Sequence, residues 1–394
     1  MVNSGSIGRN VAATLLRGAI GVVALSSAVL RAQDDSAPTL DAMTIQERPG
    51  YVAAVQAIAA GKEEEGIAAL TELLATAPDE PDLFLLHYNL ACGHARRRAL
   101  DPAFAELATS IEGGYAIHPL RLQNLLTDPD LEPLRADSRF TALRARAIAL
   151  HESLRASFDE LTSPYEFIPS EAEPVAAADG TVPAPKLRPL LVVLHPFGTE
   201  RAEFAQRLFE PFCVEHGFAL FAPGGPQMIA PERFAFFASS IDFVDGFRMA
   251  HRRFIEKLVA FRTRARVDPQ RIYVTGSGQG AGLGFALAIR NPQWVRGAVL
   301  FDGGYAPATT KDWIGASADY GRRFAVIHRE DDPRYPFAPL ENYVLQLESQ
   351  GIDIRVFPRA SAATLTPEMV TATLVERLAW IDEVPFQRTP SAGR

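Results

Sequence analysis

Arg271-Ile272-Tyr273-Val274-Thr275-Gly276-Ser277-Gly278-Gln279-Gly280 decides how the rest of this chain is read. An apolar run with β-branched and aromatic residues ends abruptly in glycines, and the spacing then predicts a helix over Gln279–Arg290. Glycine at the tip of such a sharp turn, Gly278, sits without strain, with Gly276 and Gly280 on either side.

On both sides of this stretch, short apolar runs alternate with amphipathic helical segments. Strands are expected at Leu190–Leu194, Phe218–Phe221, Arg271–Thr275, Val295–Phe301, Phe324–His328 and Ile352–Phe357. Helices are expected at Glu200–Glu215, Asp242–Arg264, Gln279–Arg290, Pro339–Ser349 and Pro367–Asp382, the last opened by Thr366 as N-cap with Pro367 behind it. That alternation predicts an α/β domain: a doubly wound, mostly parallel sheet covered by helices on both faces.

Three motifs resemble the α/β-hydrolase family, in its esterase and dipeptidyl-peptidase-like branches, over about Pro189–Asp382. Gly276-Ser277-Gly278-Gln279-Gly280 resembles the Gly-x-Ser-x-Gly elbow, in which the middle residue is the nucleophile. Here that slot is Gly278. Ser277 would need glycines at 275 and 279 to take the tip of the turn, and those positions are Thr275 and Gln279. In Val326-Ile327-His328-Arg329-Glu330-Asp331-Asp332, Asp332 falls in the slot of the acid that orients the family's histidine, with a turn-capping Asp-Pro as the plainer reading. Phe357-Pro358-Arg359-Ala360-Ser361-Ala362-Ala363-Thr364-Leu365-Thr366 resembles the loop that carries the histidine, yet Ala362 or Ala363 occupies its slot and no histidine follows His328. His195-Pro196-Phe197-Gly198 resembles the oxyanion loop; His195, Gly198, Ser277 and Gln279 are the expected pocket residues. Pro223-Gly224-Gly225-Pro226 is expected at the pocket rim, and Phe234, Phe236 and Phe237 read as core or as an aromatic-lined insert.

The resemblance therefore implies a pseudo-hydrolase with no intact catalytic residue, one that binds a protein or a small acyl or peptide-like ligand without turning it over. One alternative is an active serine-type esterase or peptidase with a relocated nucleophile. Ser239, Ser240 and Ser361 are the serines to consider, and His195 with Asp332 the pair to test. Another is an inert scaffold whose partner binds only the helical front half.

That front half, 51–150, is rich in alanine and leucine at helical spacing and repeats with a period of 34 residues: Ala57 recurs as Ala91, Ala69 as Ala103 and Leu73 as Leu107. Small residues at those places let paired helices approach closely, which resembles the tetratricopeptide repeat over two helical hairpins. Thr127–Leu143 reads as a short helical cap on the stack. The resemblance implies a protein or peptide partner; packing against the second domain is the equal alternative. His87, His94 and His118 read as packing or surface residues.

The remainder sets boundaries. Arg9, Arg17, the apolar Gly18–Leu30 and Ala32 before Gln33 read as a signal peptide over 1–32, so the chain is expected to be exported, periplasmic or secreted, without a stable membrane anchor. Residues 151–188 read as a proline-rich linker, 189–384 as the hydrolase-like domain and 385–394 as a tail. A formal charge of −8 without a long basic run argues against nucleic acid. Cys92 and Cys213 cannot form a disulfide framework, no Cys/His cluster has metal-ligand spacing, and no cofactor or metal is expected.

Overall fold

The computed structural model describes residues 45, 50–76, 82–156, 162–170, 186–230, 233–236, 243–303, 311–332, 336–359 and 365–387. The leader at 1–32, Ser239, Ser240 and the 360–364 loop with Ser361, Ala362 and Ala363 lie outside them. No helix among the described residues is long and apolar enough to cross a membrane.

The front half is helical: α1 (Tyr51–Ala59), α2 (Glu63–Thr76), α3 (Phe84–Arg96), α4 (Leu100–Glu112), α5 (Pro119–Thr127) and α6 (Ser138–Ala156). Gly61, at φ 82°, makes the turn from α1 to α2, where a side chain would be strained. Ala91, Ala103 and Leu107 are buried in the helical core, whereas their counterparts Ala57, Ala69 and Leu73 one repeat earlier are half-buried. The expected cap runs further than its sequence suggested. A 3-10 turn over Pro129–Leu134 leads into α6, which continues to Ala156. Arg96 bonds both Glu63 and Asp130, at 2.9 and 2.8 Å, so it ties α2 and the 3-10 turn to α3.

The sheet runs β1-β3-β2-β6-β7-β8-β9, with β1 (Tyr165–Phe167), β2 (Arg188–Leu194), β3 (Ala219–Ala222), β6 (Val267–Ser277), β7 (Gly297–Phe301), β8 (Arg323–Arg329) and β9 (Asp353–Arg359). Only the edge strand β1 is antiparallel; every other pair is parallel. The alternation of side chains splits each strand between two cores. Leu190, Val192, Leu194, Val274, Leu300 and Val326 face one, with α9 (Phe243–Arg264), α10 (Gln279–Arg290) and α12 (Phe337–Ser349) over it. Leu191, Val193, Phe301 and Ile327 face the other, under α7 (Arg201–Leu208), α8 (Glu210–His216) and α13 (Pro367–Asp382). Each such fully buried side chain contributes about 1.5–3 kcal/mol.

Helices α10 and α13 have the expected bounds, and Thr366 caps α13 by accepting from Met369 N–H. The helix expected over Glu200–Glu215 is two helices, because Phe209 leaves the helical path and Pro211 brings no N–H to continue it. Three elements were not foreseen: β1 inside the expected linker, α11 (Lys311–Asp319), and a hairpin of β4 (Gln227–Ala230) with β5 (Arg233–Ala235).

Chain direction across the sheet reverses at β2. From β2 it steps to β3 on one side, and later to β6 on the other. Loops leaving β2 and β6 therefore part at their carboxyl ends and open a crevice there, the usual place for a ligand in an open parallel sheet.

A Cβ added at Gly66 would lie 2.5 Å from Ile58 Cγ1 and 2.6 Å from the Ala54 carbonyl oxygen. Gly66→Ala should lower unfolding stability in urea by about 1–3 kcal/mol; an unchanged midpoint would show that α1 and α2 are not held at this distance.

Candidate active site

At the crevice, β6 ends at Ser277 and α10 begins at Gln279, with Gly278 alone between them at φ 55°, ψ −122°. This is the conformation expected of a nucleophile elbow, and glycine adopts it without the strain a larger residue would carry. Gly278 N–H donates to Phe301 C=O at 3.1 Å, which pins the turn to β7. The flanking glycines are fixed by contact. A Cβ at Gly280 would stand 2.2 Å from the Leu194 carbonyl oxygen, and one at Gly276 would stand 2.6 Å from the same atom. Neither approach tolerates a side chain, because both obstacles are backbone.

Ser277 is half-buried, and its hydroxyl bonds to no described group. Gln279 is buried and its Oε1 accepts from Phe236 N–H at 2.8 Å. Its side chain therefore clamps the segment after β5 to the start of α10. The first amides of a helix have no carbonyl of their own helix to bond, so α10 directs donors toward the crevice.

The loop after β2 faces this helix start. His195 is buried, stacked on Phe236 with ring centroids 4.5 Å apart. Its Nδ1–H donates to Pro196 C=O and its Nε2 accepts from Gly225 N–H, each at 2.9 Å. The partner types fix the neutral tautomer, since a backbone N–H only donates and a carbonyl only accepts. Burial pushes the imidazole down to about 4, the hydrogen bond to Pro196 opposing only part of that shift. Further along the loop, Gly198 N–H donates to Phe234 C=O at 2.9 Å and Arg233 Nη1 donates to Gly198 C=O at 3.1 Å. Between these anchors the Phe197 amide bonds to no described group.

The carboxyl ends of β7, β8 and β9 carry two ion pairs. Arg329 bonds Asp332 at 2.9 Å, and Asp332 is buried. Arg359 bonds Asp302 through both Nε, at 3.1 Å, and Nη2. Asp302 has φ 50°, an uncommon conformation for a residue with a side chain. Next to it, a Cβ at Gly303 would lie 2.7 Å from the Gly278 carbonyl oxygen. The Asp302–Gly303 corner therefore presses directly on the elbow, and its side chain is 14% exposed while that of Arg359 is 10% exposed. A desolvated pair of this kind needs good geometry to offset its cost, and removing one partner leaves an uncompensated charge.

No family model matches the sequence, and no curated protein matches it. Solved structures do. Esterase PE8 is 19% identical with a TM-score of 0.43, the match covering 54% of this chain and 98% of that one. A Bacillus cereus carboxylesterase is 16% identical with a TM-score of 0.41, covering 59% and 99%. An uncharacterized Bacillus cereus protein is 14% identical with a TM-score of 0.42, covering 84% and 97%. These likenesses concern the fold alone.

The expectation of a non-catalytic pseudo-hydrolase is corrected here: the matched structures bear the names esterase and carboxylesterase, and the active-hydrolase alternative is the reading that agrees with them. The pair His195 and Asp332 also fails as a relocated dyad. They leave β2 and β8, three strand positions apart in the sheet, which is roughly 14 Å at about 4.8 Å per strand. Both ring nitrogens of His195 are already engaged by backbone, Nδ1 with Pro196 of its own loop and Nε2 with Gly225. Phe234 and Phe236 are both buried, Phe236 in the core of the sheet and Phe234 in a small separate core, and Phe237 lies outside the described residues. Ser277 and Gln279 flank Gly278 in the chain, and the His195 carbonyl oxygen would lie 2.6 Å from a Cβ at Gly280.

Asp302 and Arg359 were missed. Phe301-Asp302-Gly303-Gly304, an apolar strand ending in an acid and two glycines, was the one visible signal. Nothing local in Arg359 announces a partner 57 residues away.

Because the fold depresses the His195 ionisation, the unfolded chain takes up this proton first as pH falls. Stability from the neutral ring is full above about pH 6.5 and is lost as pH falls through the window down to about 4, by on the order of 3 kcal/mol. Thermal unfolding of the native chain and of His195→Gln, measured from pH 7.5 to 4, should show a shallower acid loss in the variant. Parallel curves would disprove the assignment.

Proposed function

We propose that this chain is a serine-type hydrolase of carboxylic esters or a related acyl bond, working at the crevice between β2 and β6, with Ser277 as the relocated nucleophile. One observation carries this reading: a half-buried, unbonded hydroxyl stands one residue before a backbone that keeps the elbow conformation. The Phe197 amide and the start of α10 supply donors where charge develops on the acyl oxygen, and such donors contribute a large share of acyl-transfer catalysis.

In this scheme Ser277 Oγ attacks the acyl carbon and its proton passes to the Asp302 carboxylate, the acidic group at the neighbouring strand end. The proton then goes to the departing alkoxide, and water hydrolyses the acyl-serine by the reverse order of steps. Arg359 keeps Asp302 oriented toward the crevice. The substrate is a small acyl compound by this reading, and a leader over 1–32 would place the activity outside the cytoplasm. The helical front half, with its 34-residue repeat, retains the tetratricopeptide-like reading and a protein or peptide partner as part of the same proposal.

A fluorophosphonate probe should label the native chain, with the adduct mapping to the peptide that contains Ser277, and Ser277→Ala should lose both label and p-nitrophenyl acetate turnover at least a hundred-fold. An adduct on another serine, or none, would overturn the assignment.

No histidine takes part in this scheme. The ester turnover rate should therefore stay level from about pH 5.5 to 7.5, with no break near the ordinary histidine value of about 6.5. A sigmoid centred there would assign the base to a histidine instead.

A further inference from the structure

The loop that carries the Phe197 donor is not held by the sheet alone. Every hydrogen-bonded anchor described for it outside its own residues comes from 225–236. Gly225 N–H bonds His195, Phe234 C=O receives Gly198 N–H, and Arg233 bonds Gly198 C=O. Thr199 also forms an antiparallel bridge with Phe234. The same segment is tied to the elbow through Phe236 N–H on Gln279.

Its other side meets the helical layer. Met228 and Phe234 form a small separate core with Ile117, from the 3-10 turn Tyr115–Ile117, and with Leu150 and Leu154 of α6. Phe234 thus works in two directions. Its carbonyl and strand edge hold Gly198 and Thr199, while its side chain, 1% exposed, is seated among residues of the front half. Dense packing transmits displacement, since a buried ring cannot move without its neighbours giving way.

Resting on the hydrolase reading above, we infer that Phe234 is a positioning residue. The helical layer, through the Ile117–Leu150–Leu154 seat, sets where the oxyanion loop stands, so that the front half is part of the catalytic unit. A misplacement near one ångström at a reacting centre costs up to about a hundred-fold in rate. The effect falls on kcat, because the amide acts on charge that develops only in the transition state.

Test this on the full chain with Ile117→Ala, which shortens a side chain remote from the crevice, beside Phe234→Ala and the milder Ile117→Val. Amide hydrogen exchange at Gly198 and Thr199 should quicken at least ten-fold in both alanine variants. Exchange in β6 and β7 should stay as in the native chain, and Ile117→Val should restore slow exchange at the loop. Turnover of p-nitrophenyl acetate should lose about ten-fold in kcat, with KM within two-fold. Loop exchange unchanged in both alanine variants would overturn the inference, as would a loss spread evenly over β6 and β7. Should Ile117→Ala fail to fold, Leu154→Ala trims the same seat from its half-buried edge and is read the same way. If the native chain turns over no ester, the Ser277 reading fails, yet loop exchange still decides whether the helical layer holds the loop.

Discussion

The carbonyl oxygen of Leu194 touches both arms of the elbow, and the rest of the site is arranged around that contact. With no room for a Cβ at Gly276 or Gly280, the end of β6 and the start of α10 can lie directly against the end of β2. Two loops that would otherwise diverge at the switch in strand order are thereby brought within reach of one another. Gly303 repeats the arrangement from the far side, close against the Gly278 carbonyl oxygen. The turn is clamped between two strand ends, both of them backbone.

Around this clamp the polar groups are paired rather than left to solvent. His195 is neutral and spent on the backbone of Pro196 and Gly225, Gln279 is spent on Phe236 after the hairpin, and the two acids at the strand ends each hold an arginine. The low local dielectric makes each of these bonds worth keeping and each orphaned partner costly. The Ser277 hydroxyl and the Phe197 amide bond to no described group.

The front half is joined to this arrangement through the β4–β5 hairpin. Its own core is built on α3 and α4, whose small residues are buried, while the first hairpin of the repeat remains half-exposed. One hydrophobic seat then links it to the hairpin that borders the crevice.

The amino-acid sequence by itself determined the alternation of strands and helices, the bounds of α10 and α13, and the glycine turn at Gly278 between β6 and α10, because each rests on local periodicity or on glycine at a fixed offset. Only the tertiary structure decided that Asp302 pairs with Arg359 and that the Asp302–Gly303 corner meets the elbow. Their partnership depends on strand order and on a corner at φ 50°, neither of which leaves a periodic trace. The short strands β1, β4 and β5 were hidden for a related reason: three or four residues are too few to show a period of two, and they form only because an edge or a partner strand is already there.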